Sequence, residues 1–317
     1  MSEWELRLCR DGYGEGIIAL GEADNRVVVL GADLSESTRA LWFKERFPDR
    51  FFSFGIAEQN MLGAAAGMSL TGLIPFVSSY GVFLSGRAWD QIRTTICYSN
   101  LNVKLAGAHG GISVGADGAT HQALEDCALM RVLPQMTLVA PCDYHETRRA
   151  TIAIGQMQGP AYIRFGREKT PVITTADTPF ELGKALVMRP GDDITLIANG
   201  YMVSQALIAA DMLATNGISA RVINMHTLKP LDKQAIVAAA RSTGAIVTAE
   251  EHQLACGLGS AVAEVVVSEC PVPMRMIGID DTFGESGTPQ ELLTAYGLTA
   301  EHIAEAARSL VRDKALV

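Results

Sequence analysis

Residues 54–81 read FGIAEQNMLGAAAGMSLTGLIPFVSSYG. A β-rich run ends at Gly55, and the carboxylate of Glu58 opens a stretch of small residues that predicts a helix over Glu58–Leu70. After Gly72 the run Ile74–Val77 predicts a strand. No charge interrupts Gln59 to Gly86, which invites a membrane reading. Gly72, Pro75, Ser78 and Ser79 split the stretch into two shorter elements, so deep burial is the expectation instead.

The same alternation extends in both directions. Strands are expected at Val27–Leu30, Val103–Ala106, Thr137–Ala140 and Ala161–Ile163, and helices at Gly86–Ile96, Glu125–Val132 and Tyr144–Gln156. Strands separated by helices predict a parallel sheet covered by helices. The stretch KTPVITTADTPFELG at 169–183 carries two prolines and no helical periodicity, and reads as a linker. Beyond it the pattern restarts, with strands expected at Ile194–Ala198, Ala220–Ile223, Ala245–Ala249 and Met274–Ile277, and helices at Ser204–Asn216, Asp232–Ser242 and Leu258–Ser268. The fold class is therefore α/β in two domains, 1–175 and 185–317, each a mostly parallel sheet flanked by helices. A chain of 317 residues is comfortable for two such units.

Composition narrows the function. The 26 Lys and Arg against 35 Asp and Glu give a net charge of -9, which offers no basic footprint for nucleic acid or an anionic membrane. A small-molecule substrate is the expectation. The six cysteines lie far apart with no CxxC pair, which suits buried thiols in a reducing cytoplasm. The opening MSEWELRLCRDGYGEG has no apolar h-region of a secretory signal.

Two constellations could carry chemistry. Glu58 stands where a strand hands over to a helix, the place where α/β folds put ligand-binding groups, although a first-turn carboxylate is also favoured by the helix dipole. The second is HGGISVGADGATHQ at 109–122, with two imidazoles and one carboxylate in a glycine-rich loop after a predicted strand. Glycines let backbone approach a ligand, and paired histidines bind phosphate or pass protons near neutral pH. Eleven residues between His109 and His121 is not a metal-ligand spacing.

Together GIAEQNM, the segment PFVSSYGVF at 75–83, the loop HGGISVGADGATHQ and YIRFGR at 162–167 resemble the thiamine-diphosphate-binding pyrimidine domain of transketolases, and the chain from about 185 onward is similar to that family's C-terminal domain. The resemblance is strongest to the second subunit of split, two-chain transketolases. It implies that Glu58 is the catalytic glutamate. Held protonated in a dry site, it would donate to N1′ of the aminopyrimidine and so assist removal of the thiazolium C2 proton. It also implies that Phe83 and Tyr80 pack against the pyrimidine ring. His109, Asp117 and His121 would bind substrate, His109 near a sugar phosphate, Asp117 near a sugar hydroxyl, and both histidines assisting proton transfers. Arg167 would bind phosphate, with Arg164 and Arg10 as further candidates that are equally suited to structural ion pairs.

The family's diphosphate and Mg²⁺ motif, GDG followed some thirty residues later by an Asn, is missing. Gly191-Asp192-Asp193 with Asn199 is the nearest string, in the wrong domain. The metal ligands are therefore expected on an N-terminal, diphosphate-binding partner chain, with two copies of each chain as the simplest assembly. A third aromatic of the family's ring pocket is replaced here by Gly86. The implied activity is transfer of a two-carbon ketol unit from a ketose phosphate to an aldose. Alternatives are the β subunit of a 2-oxo-acid dehydrogenase, which needs no phosphate site, a 1-deoxyxylulose-phosphate synthase-like enzyme, and a degenerate subunit that only stabilises a partner.

Overall fold

The structure, a computed structural model, describes residues 4–314. Its first sheet has seven strands in the order Thr227–Lys229, Thr137–Val139, Ala161–Phe165, Lys104–Ala108, Ile74–Tyr80, Val27–Gly31 and Phe51–Ser53. All neighbours are parallel except Thr227–Lys229, which runs antiparallel on the edge. The four central strands are buried at every residue, as a sheet covered on both faces requires. That is why they read as continuous apolar runs and not as alternating ones. The second sheet runs Met274–Ile279, Ile246–Gln253, Ile194–Ala198, Ala220–Asn224 and Leu186–Arg189, the last antiparallel and the rest parallel.

The two sheets share a core. Val28, Met61 and Leu105 of the first belong to the same apolar cluster as Ile197, Ile223 and Val262 of the second half. The edge strand Thr227–Lys229 reinforces this, because a segment from the C-terminal half closes the N-terminal sheet.

Several expectations need correction. The helix expected over Gly86–Ile96 is two pieces, an α-helix at Gly81–Arg87 and a π-helix at Gln91–Cys97. The wide turn shows in the Tyr98 N–H, which donates to Arg93 O five residues back. The linker begins as strand Lys169–Pro171, paired antiparallel with Leu6–Leu8. Its continuation is tied down by Asp143, whose carboxylate caps the helix Tyr144–Gln156 and also accepts from Ile173 and Thr174. Burial of the uncharged stretch is complete for strand Ile74–Tyr80, but Gly63, Gly67 and Leu70 of the preceding helix face outward. The thiols are all free, yet Cys256 is exposed.

Five α-helices of the described residues, Cys9–Ala23, Ser35–Thr38, Ala40–Arg46, Pro289–Ala295 and Ala300–Lys314, are not among those expected from the sequence. Cys9–Ala23 packs along Tyr144–Gln156 so closely that a Cβ at Gly12 would lie 2.3 Å from Tyr144 O. Glycines that look like loop residues there make room for a neighbouring backbone.

Candidate active site

The candidate residues gather where the parallel strands of the first sheet end. Strand Ile74–Tyr80 delivers Tyr80 and, through the helix that follows at once, Phe83 and Arg87. Strand Lys104–Ala108 delivers His109, and Ala161–Phe165 leads to Arg167. Carboxyl ends of parallel strands are the usual crevice for ligands in such folds.

Glu58 is the first residue of the helix Glu58–Leu70, entered through a tight turn in which Gly55 has φ +65° and the Ala57 N–H bonds Gly55 O at 2.9 Å. Its side chain is only 3% exposed. Among the described residues its sole hydrogen-bond partner is Arg87, whose Nη1 donates to Oε1 at 3.3 Å and Oε2 at 3.5 Å. The Arg87 guanidinium lies 4.0 Å above the Phe83 ring. Phe83 meets the imidazole of His121 at 5.2 Å edge-on and Tyr80 at 5.8 Å, and Tyr80 stacks on His109 at 4.0 Å. Glu58, Phe83, Tyr80, His109 and His121 are thus one continuous group.

His109 is buried, at 2% exposure, with the hydrogen-bonding capacity of its ring unmet: neither ring nitrogen has a partner among the described residues. Its backbone sits in the left-handed region at φ +59°, a strained conformation for a side chain of this size. Burial, then the nearby positive charges of Arg10 and Arg167 and the ring of His121, push its pKa down to about 3. It is a neutral imidazole at working pH, one nitrogen donating and the other accepting.

Arg10 and Arg167 place two guanidinium groups beside this neutral ring. Arg10 stands in the first turn of helix Cys9–Ala23, which no side chain caps, and donates to Ser37 O at 3.2 Å while its buried Nε lacks a partner. Its own pKa is lowered by burial and by Arg39. Arg167 contacts Asp117 at 3.0 Å and donates to Val114 O, so the two residues expected at opposite ends of a sugar hold each other across the loop. Uncapped helix N–H groups and two arginines make a suitable seat for an oxyanion.

Arg164 is not part of this group. Its Nε donates to both oxygens of the fully buried Asp126, and Nη2 to Ala123 O and Glu251 O, so it braces the two domains. Asp126, Cys127 and His252 come within metal-ligand range of one another, but Asp126 and His252 are already hydrogen-bonded within the fold. Asp126 also accepts from Tyr162, and His252 accepts from the Ala128 N–H while its other nitrogen bonds Gln253 O. Such a set offers no octahedral oxygen cage of the kind Mg²⁺ takes. Asp193 of the Gly191-Asp192-Asp193 string is occupied by the Ser219 N–H.

Arg87 is the residue that sequence reasoning missed. The available signal was that it is the first charge after the uncharged run and lies one helical turn beyond Phe83. The loop glycines also turn out differently. Gly111, at φ +96°, has the Glu251 carboxylate of the second half 2.6 Å from where a Cβ would stand, so it serves domain packing as much as ligand access.

Comparison with known proteins gives the family. The family profile "Transketolase, pyrimidine binding domain" matches residues 8–172 and "Transketolase, C-terminal domain" matches 183–303. A transketolase C-terminal section of Methanocaldococcus jannaschii is 46% identical, over 93% of this chain and 94% of its own. The 6-deoxy-6-sulfo-D-fructose transketolase subunit SqwH of a Clostridium species is 42% identical over 96% and 95%. A solved split-gene transketolase, described as an inactive beta4 tetramer, superposes with a TM-score of 0.91 at 48% identity, covering 96% of this chain and 98% of that one. From the Glu58 helix through the histidine loop to its C-terminal sheet, this chain belongs to the transketolase family, as its pyrimidine-binding and C-terminal section.

Proposed function

We propose that the chain is one subunit of a thiamine-diphosphate-dependent transketolase, moving a two-carbon ketol unit from a ketose phosphate to an aldose, active only with an N-terminal partner chain. The single observation that carries this is the position of Phe83. Its ring meets both Arg87, the partner of Glu58, and His121, so the groups read as cofactor-facing and substrate-facing share one aromatic ring. Thiamine diphosphate, when bound, supplies the carbanion chemistry that carbon–carbon cleavage needs.

Glu58 has the burial to act on the ring nitrogen of an aminopyrimidine, exchanging a proton at its carboxyl group. Phe83 and Tyr80 would stack on that ring and keep water from it. His109 and His121 would hold or move protons at substrate hydroxyls, His109 as a neutral ring. Arg10 and Arg167 would bind the anionic end of the sugar, and Asp117 would orient Arg167 or a sugar hydroxyl. Mg²⁺ and diphosphate ligands would come from the partner, since Asp126 and Asp193 of this chain are already bonded within the fold. Two copies of each chain are the simplest symmetric assembly; a cytoplasmic location suits the six free thiols, and no helix of the described residues is long and apolar enough to cross a membrane.

The test is calorimetric. Thiamine diphosphate with Mg²⁺ is titrated into this chain, then into its equimolar mixture with the partner chain, and ketose phosphates are screened with the mixture. Binding and turnover only in the mixture are expected. Tight binding by this chain alone would refute the split site, and CO₂ release from pyruvate would refute ketol transfer.

A further inference from the structure

We propose that Arg87 is a resident occupant of the seat of the cofactor's ring: in the free chain its guanidinium fills the two contacts, Phe83 and Glu58, that the aminopyrimidine takes over on binding. The inference rests on the thiamine-diphosphate reading above and adds a competitor that this reading does not contain.

The geometry is that of a flat cation standing where a flat heterocycle belongs. A guanidinium is planar and delocalised and lies face-on to aromatic rings, as Arg87 does 4.0 Å above Phe83. The same group satisfies Glu58, whose buried carboxylate would otherwise have no partner among the described residues, a costly condition for a charge out of water. A pyrimidine ring nitrogen bonded to Glu58 and a ring stacked on Phe83 need the same two surfaces, so the two occupants exclude each other.

Arg87 is also placed to leave. One nitrogen bridges both carboxylate oxygens at 3.3 and 3.5 Å, long beside the 2.7–2.9 Å of a strong charge-assisted bond. The side chain is 49% exposed, so water screens the pair. It is the last residue of helix Gly81–Arg87, and the preceding Gly86 has nothing within 4 Å of where a Cβ would be. The glycine that stands in place of the family's third aromatic thus leaves space into which the arginine can swing. Apparent cofactor affinity is then the intrinsic affinity reduced by the fraction of chains with the seat open.

The experiment is calorimetric titration of thiamine diphosphate, at saturating Mg²⁺, into the mixture of this chain with its diphosphate-binding partner. Wild type, Arg87→Met and Arg87→Lys are compared. Arg87→Met is expected to bind about tenfold more tightly, from loss of one screened ion pair and one cation–π contact. Arg87→Lys, whose ammonium cannot lie flat on Phe83, should fall between. A second readout needs no cofactor: Arg87→Met lowers the melting temperature of this chain alone, and adding Glu58→Gln restores it. Unchanged or weaker binding in Arg87→Met overturns the inference while wild-type binding leaves the proposed function standing. Failure of the wild-type mixture to bind overturns both. Should Arg87→Met not fold, the Arg87→Lys titration decides, with a severalfold gain expected and no gain overturning the inference.

Discussion

At the scale of single residues, the candidate site is distinguished by what each environment does to charge. His109 titrates near 3 because burial and two guanidinium groups oppose its cation, whereas an unfolded imidazole titrates near 6.5. Between those values the unfolded chain binds the extra proton, so stability is complete above about pH 6.5 and is lost as pH falls toward 3. His109→Gln should flatten that part of the acid limb in urea melts between pH 7 and 4 and lower kcat/KM about 10²-fold. An NMR titration showing a His109 midpoint near 6.5 would contradict the neutral-imidazole role. The two arginines of YIRFGR separate by the same logic. Arg164→Met leaves Asp126 charged and buried, and unfolding measurements should show a loss of about 3–5 kcal/mol with little change in substrate KM. Arg167→Met, at a side chain one-third exposed, should leave the melt nearly unmoved and raise KM for a phosphorylated donor about 10- to 100-fold. Equal KM effects from both would erase the distinction.

At the scale of elements, what was legible in the sequence was whatever burial forces on residue type. The central strands announce themselves because both faces are covered, and the Glu58 helix because a carboxylate follows a glycine turn. Leu6–Leu8, Lys169–Pro171 and Thr227–Lys229 are three residues each, too short for any periodicity, and are fixed by partners far away in the chain. The π-helix at Gln91–Cys97 has no residue signature distinct from an α-helix. For the loop at 109–122 the sequence revealed the histidines and the carboxylate but not the reason for Gly111, Gly115 and Gly118, which lies in residues 251–289 of the other half. Gly111→Ala tests that reason. A Cβ there meets the Glu251 carboxylate at 2.6 Å and a left-handed backbone at once, so the variant should lose about 2 kcal/mol or more in urea unfolding. Unchanged stability would show that the domain contact yields easily.

At the scale of the whole molecule, the outer face of the Glu58 helix is spent in a way the isolated chain does not explain. Gly63 and Gly67 lie on it with nothing within 4 Å of where a Cβ would stand, and Ile56 and Leu70 flank them at 74% and 75% exposure. Glycine in an exposed helix costs about 0.5–1 kcal/mol against alanine, and large apolar side chains left in water gain nothing. Both become reasonable when another chain packs against the helix, because missing side chains let backbones come close. The helix also begins with Glu58, so on the function proposed above a chain docked there would lie beside the proposed seat of the aminopyrimidine ring. The expected outcome of Gly63→Ala with Gly67→Ala is therefore opposed in sign at two levels. The isolated chain should melt at a higher temperature, since neither new methyl meets an atom of its own fold. Assembly with the partner, followed by analytical ultracentrifugation of the mixture, should weaken. If the double variant is stabilised and assembles as well as the wild type, this face is not where the enzyme is put together, and the partner must reach the cleft from the side of Arg10 and the histidine loop.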